Sequence, residues 1–119
     1  MRPDRPDRPS AAPQVHVLVE SQDARTPDAG SHFLRAAHQL AVTGTRIVVL
    51  LIDDGVRCAV GGQPTLARLV AAGGEVWADE ASLSQRALPV ASLADGVTAA
   101  SLDKIAPLLF DPDVTVVWH

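Results

Sequence analysis

Carboxylates recur in this chain just past its apolar runs, a placement that could gather them at one edge of a fold. Glu20-Ser21-Gln22-Asp23 follows Val15-His16-Val17-Leu18-Val19, Asp53-Asp54-Gly55 follows Ile47-Val48-Val49-Leu50-Leu51-Ile52, and Asp79-Glu80 follows Val76-Trp77-Ala78. The last apolar run, Val114-Thr115-Val116-Val117-Trp118, delivers His119 and the terminal carboxylate. Close carboxylates raise one another's proton affinity, which suits acid–base work, and their oxygens suit a hard cation. Against this stands the ordinary use of Asp and Glu in turns and helix caps. Glu80, for one, can simply complement a helix N-terminus. No ligand spacing here is diagnostic of a metal site, so neither a resident metal nor a cofactor is called for.

Cys58 is the only cysteine, in Asp54-Gly55-Val56-Arg57-Cys58-Ala59-Val60-Gly61-Gly62. The adjacent Arg57 and a nearby helix start favour the thiolate, which is the attacking form of the group. Packing between Val56 and Val60 as a small apolar side chain is the competing role. The glycines of this stretch match neither a dinucleotide nor a P-loop fingerprint. His32 and His38 lie six apart and do not share a helix face as a metal pair must. Ser82 and Ser84 lack the glycine-flanked turn that presents a serine nucleophile. A receiver-type phosphoacceptor also fits poorly, because the one lysine, Lys104, precedes the last strand instead of following it.

The groups past each run need strands to hold them, and the pattern supplies strands. Residues 15–19, 46–52, 75–78, 97–98 and 114–118 read as β-rich runs, the longer ones apolar enough to be covered on both faces. Between them, Phe33, Ala37, Leu40 and Ala41 recur at helical spacing, with Arg35 and Gln39 opposite and Gly44 as the stop. A loop through Pro27 and Gly30 precedes that helix. Pro64 suits the first turn of a second helix carrying Leu66, Leu69 and Val70, and Gly73-Gly74 lies past its end. Residues 80–87 form a short helix around Leu83. Ser101 caps another helix, with Leu102 and Ile105, which Pro107 is expected to kink or split. Asp111-Pro112-Asp113 is a turn. Strands alternating with helices imply a three-layer α/β/α, flavodoxin-like, doubly wound and mostly parallel sheet. In such a sheet ligands bind beyond the carboxyl ends of the strands, which is where the acidic residues fall.

Composition bounds the rest. The chain has 119 residues, of which 47% are hydrophobic and 20% charged, enough for one ordinary domain. Residues 1–14, rich in proline, arginine and aspartate, read as a disordered arm, and residues 15–119 as the domain. A net charge of −4 and only 3% aromatic residues argue against a nucleic-acid partner. The longest apolar run is far short of the about 20 residues a membrane helix needs. No apolar segment follows the N-terminal arginines as a secretory signal requires. A cytoplasmic protein is expected. Trp77 and Trp118 fall on different strands, as core or subunit-contact residues, and Leu83, Leu88 and Val90 gather near a second apolar surface.

Several stretches together resemble the DsrE/DsrF/TusD-like family. They are residues 15–20, Ala36-Ala37-His38-Gln39-Leu40 with Gly44, Leu50-Leu51-Ile52-Asp53-Asp54-Gly55-Val56, and Ala72-Gly73-Gly74-Glu75-Val76-Trp77-Ala78. Ser82-Leu83-Ser84-Gln85-Arg86 and the closing Val116-Val117-Trp118 continue the same order and spacing. The resemblance implies the doubly wound fold and assembly as homotrimers, homohexamers or mixed hexamers. It also implies sulfur relay through a persulfide-bearing cysteine just after the strand at 75–78. In this chain that position holds Asp79, and a carboxylate cannot carry sulfane sulfur. The chain resembles instead those subunits that lack the cysteine and serve as binding or structural partners. The expected function is therefore a non-catalytic, oligomeric DsrE-like subunit linked to sulfur metabolism, with Glu20, Asp54, Asp79 and Arg86 as its pocket. A persulfide carrier using Cys58 is the first alternative. A metal-dependent hydrolase using the acidic rim is the second.

Overall fold

A chain that alternates strands with helices must cross over between parallel strands, and right-handed crossovers decide where each helix lands. A computed structural model describes residues 14–23, 29–61 and 63–119. In chain order the elements are β1 (Val15–Glu20), α1 (Ala29–Val42), β2 (Arg46–Leu51), α2 (Pro64–Ala71), β3 (Glu75–Asp79), α3 (Glu80–Gln85), β4 (Val97–Ala100), α4 (Leu102–Leu109) and β5 (Val114–Trp118). Short 3-10 helices occupy Asp53–Ala59 and Val90–Ser92. The strands are ordered β4-β3-β2-β1-β5, and every neighbouring pair is parallel. From β1 to β4 the chain steps one way across the sheet, so α1, α2 and α3 pack on one face. The connection through α4 returns to the far side of β1 and so packs on the other. This is the expected three-layer α/β/α, flavodoxin-like fold.

The two-residue period of a strand divides the core between the faces. Ile47, Val49 and Leu51 of β2 join Leu18, Val76 and Ala78 beneath Leu34, Ala37, Leu66, Leu69 and Leu83. Val48 and Leu50 turn the other way, with Val17, Val19, Trp77 and Ala100, and meet Ile105 of α4. Burying each such aliphatic side chain contributes about 1.5–3 kcal/mol, so the central strands β1 and β2 carry much of the driving force. The ammonium of Lys104 lies 4.5 Å above the Trp77 ring, covering part of this second face. Gly44 ends α1 with φ +87, a backbone setting that side chains with a Cβ resist.

Four local expectations are revised. Pro107 does not split its helix: α4 is one helix, Leu102–Leu109, with the proline inside it. The ring removes one hydrogen bond, to the carbonyl of Asp103, and both residues are exposed, so water can serve that carbonyl. Ser101 holds the N-cap position but makes no side-chain cap; its backbone carbonyl accepts from Lys104 and Ile105, both at 3.0 Å. Leu102 is 73% exposed and lies outside the core. Gly30, expected in a loop, belongs to α1, where first-turn N–H groups lack intrahelical partners in any case. Residue boundaries of β1, β2, β3 and β4 move by one or two positions. The expected arm, Gln14 apart, and Pro27 lie outside the described residues. No helix among the described residues is long and apolar enough to cross a membrane.

Ile105 is the one fully apolar side chain of α4 that is buried. Its replacement by alanine is expected to lower stability by about 2–5 kcal/mol, whereas Leu102→Ala shifts it by no more than about 0.5 kcal/mol. Urea unfolding followed by circular dichroism measures both.

Candidate functional site

Loops leaving the carboxyl ends of a parallel sheet part where neighbouring strands connect to opposite faces, and a crevice opens there. In this sheet that point lies between β1 and β5. The helix leaving β1 covers one face and the helix entering β5 covers the other. The residues delivered to it are Glu20 and His119. In register Val19 faces Trp118, so the next residue on each strand meets at the rim.

Glu20 is fully buried. Its carboxylate accepts from the Gln22 N–H at 2.9 Å, and His119 Nδ1 lies 2.9 Å from each carboxylate oxygen. The imidazole stacks on Phe33 of α1, with ring centroids 4.9 Å apart and planes 18° apart. The backbone holds it as firmly. His119 N–H donates to the Val19 carbonyl at 2.8 Å, while the Ser21 N–H and hydroxyl donate to the His119 carbonyl at 3.1 and 2.7 Å. On the other flank the Ile52 N–H donates to the Glu20 carbonyl at 3.0 Å. Gly55 packs so closely against that carbonyl that an added Cβ would overlap its oxygen.

A second cluster stands past β2 and β3. Asp79 is the N-cap of α3, its carboxylate accepting from the Ser82 N–H at 3.1 Å and from the Ser82 hydroxyl at 2.6 Å. That hydroxyl in turn accepts from the Asp53 N–H at 2.8 Å. Ser82 thereby ties the 3-10 helix to α3 and supports Asp53 at φ +49. Arg86 Nε donates to Asp54 at 3.0 Å, and Arg57 approaches the same carboxylate at 3.7 Å. Arg86 also donates to the Ser82 carbonyl at 3.3 Å.

Of the four residues expected to line one pocket, Asp54 and Arg86 pair directly, and Asp79 adjoins them through Ser82. Glu20 turns away. Among the described residues its carboxylate bonds to Gln22 and His119 and to none of the other three. Cys58 is buried within the same 3-10 helix, and its Sγ donates to the Gly55 carbonyl at 2.9 Å. Among the described residues no three His, Cys, Asp or Glu side chains are gathered to hold a metal. Beside α3 a shallow groove is lined by Glu80, Leu83, Leu88 and Val90, with Ser84 and Ala87 between them. The pairing of Glu20 with His119, the Phe33 stack and the role of Ser82 have no counterpart in the local sequence pattern. Only the placing of β5 beside β1 reveals the first two.

No protein-family model matches this chain, and no curated protein matches it. Among solved structures, the ychN protein from E. coli shares the fold with a TM-score of 0.74 at 19% identity, over 91% of this chain and 100% of that one. MTH1491, a protein of unknown function from Methanobacterium thermoautotrophicum, does so with a TM-score of 0.73 at 15% identity, over 91% of this chain and 100% of its own. At these identities the likeness is one of fold.

Two substitutions read out the geometry. Asp79→Ala removes a cap and is expected to cost about 0.5–2 kcal/mol, with Asp79→Asn recovering most of it. Gly55→Ala forces a backbone shift at the rim and is expected to cost about 1–3 kcal/mol. Chemical denaturation of each variant beside the parent supplies the comparison.

Proposed function

We propose that this chain is a non-catalytic, DsrE-like subunit that binds a small molecule or partner protein at the carboxyl-end rim and is linked to sulfur metabolism. The observation carrying this reading is the state of Asp79. It occupies the position where the resemblance expects a persulfide-bearing cysteine, and its carboxylate is engaged in capping α3 and holding Ser82. A group with those duties anchors the rim instead of reacting there. Asp54, 61% exposed, then offers the accessible charge, paired with the largely buried Arg86, with Asp79 joined to them through Ser82 and Glu20 at the neighbouring strand end.

Assembly is the second half of the proposal: a homo-oligomer, trimer or hexamer, or a mixed oligomer with DsrE-like partner subunits. Two apolar surfaces support it. Trp118 is 62% exposed on the edge strand β5, and Val90 stands exposed at the groove beside α3. Large exposed apolar groups on an edge strand invite a partner.

Sulfur transfer through Cys58 fits less well. Its thiol is buried and donates to a carbonyl, so attack on a persulfide requires the 3-10 helix to open.

Intact-mass measurement after incubation with inorganic polysulfide, run beside Cys58→Ser, tests the non-relay half. No Cys58-dependent sulfur adduct is expected, and such an adduct would restore the relay reading. Sedimentation tests the assembly half. A multiple of the chain mass is expected, reduced by Trp118→Asp, and a monomer at all concentrations would remove this half of the proposal.

A further inference from the structure

We infer that His119, oriented by Glu20, is the proton-accepting group of the rim crevice, and that its ligand is a neutral small molecule presenting an O–H or S–H donor. The inference rests on the rim being a binding site and names the class of ligand it takes.

A wholly buried carboxylate is costly even when paired, and an apolar side chain often serves a core as well. What the Glu20–His119 pair supplies is orientation. Nδ1 lies 2.9 Å from both carboxylate oxygens, and the Gln22 N–H donates to one of them as well. A histidine ring nitrogen facing a carboxylate is the one that carries the proton, which assigns the donor role to Nδ1 and, in the neutral ring, the lone pair to Nε2. Stacking on Phe33 resists rotation of the ring, and the bonds to Val19 and Ser21 fix the backbone beneath it. The His119 side chain remains 23% exposed, and among the described residues none hydrogen-bonds to Nε2.

Charge narrows the ligand. With the ring neutral the two side chains carry one negative charge, and among the described residues no arginine or lysine forms an ion pair or hydrogen bond with either of them. A carboxylate or phosphate would be repelled, whereas a neutral donor meets an open acceptor. Where the bound donor is acidic enough, its proton passes to Nε2. The X–H bond breaks, the electron pair stays on X, and an N–H bond forms. The imidazolium so made faces Glu20, whose charge stabilises it, as a carboxylate stabilises the histidine of a hydrolytic triad. Glu20 is thus a positioning residue and His119 the group that meets the ligand.

The test uses the full chain labelled with 15N-histidine. At mildly alkaline pH, nitrogen–proton correlations should show His119 with its proton on Nδ1. Glu20→Gln, whose amide can donate as well as accept, should shift that population towards Nε2–H. Titration with 2-mercaptoethanol, which carries both donor types, should move the His119 Nε2 resonance saturably, and acetate should leave it in place. The signature in the parent protein needs no variant to fold. A parent His119 protonated on Nε2, an equal response to acetate, or no response to 2-mercaptoethanol would each overturn the inference. Oligomeric mass and sulfur loading read the subunit proposal separately, so either can fail alone.

Discussion

The rim depends on how closely the exit of β2 lies across the end of β1. Gly55 rests on the Glu20 carbonyl, and the Ile52 N–H bonds to the same oxygen. With its carbonyl held there, Glu20 continues the strand and sends its side chain inward to His119. The same turn carries Asp53 to Ser82, Asp54 to Arg86 and the Cys58 thiol to the Gly55 carbonyl. A larger residue at position 55 would disturb both clusters at once. The two halves of the rim are therefore mechanically joined although, among the described residues, no side-chain hydrogen bond links them.

The elements were legible because their signals are local. Apolar runs of strand length, helical spacing in residues 33–41, and Pro64 and Gly44 at helix boundaries each follow from the preferences of a few adjacent residues. Pro107 shows the limit of that logic. Its cost depends on whether the orphaned carbonyl reaches water, which is decided by the face of α4 that packs on the sheet. Strand order is likewise absent from local pattern. Glu20 and His119 both stood out as residues at strand ends, but nothing nearby in sequence says that β5 lies against β1. For the same reason four residues expected in one pocket resolve into two neighbouring clusters.

Asp79 illustrates how a carboxylate at a strand end can be accounted for by the helix that follows it. At the junction of β3 and α3 the first-turn N–H groups need an acceptor, and aspartate is among the best residues for this. A side chain suited to that task stabilises the element that follows. It also binds Ser82, and through Ser82 the loop after β2. Local demands of the backbone thus account for the carboxylate without invoking reactivity.

The partners at the switch point, Glu20 and His119, are separated by 99 positions along the chain. Closing so long a loop is entropically costly and is repaid only when β5 docks on β1. The crevice accordingly belongs to the finished fold: a partly folded chain with β1 to β4 in place has no ordered imidazole beside Glu20. Any ligand that engages both strands then favours the docked state by mass action. Occupancy and completion of the sheet become two readings of one equilibrium.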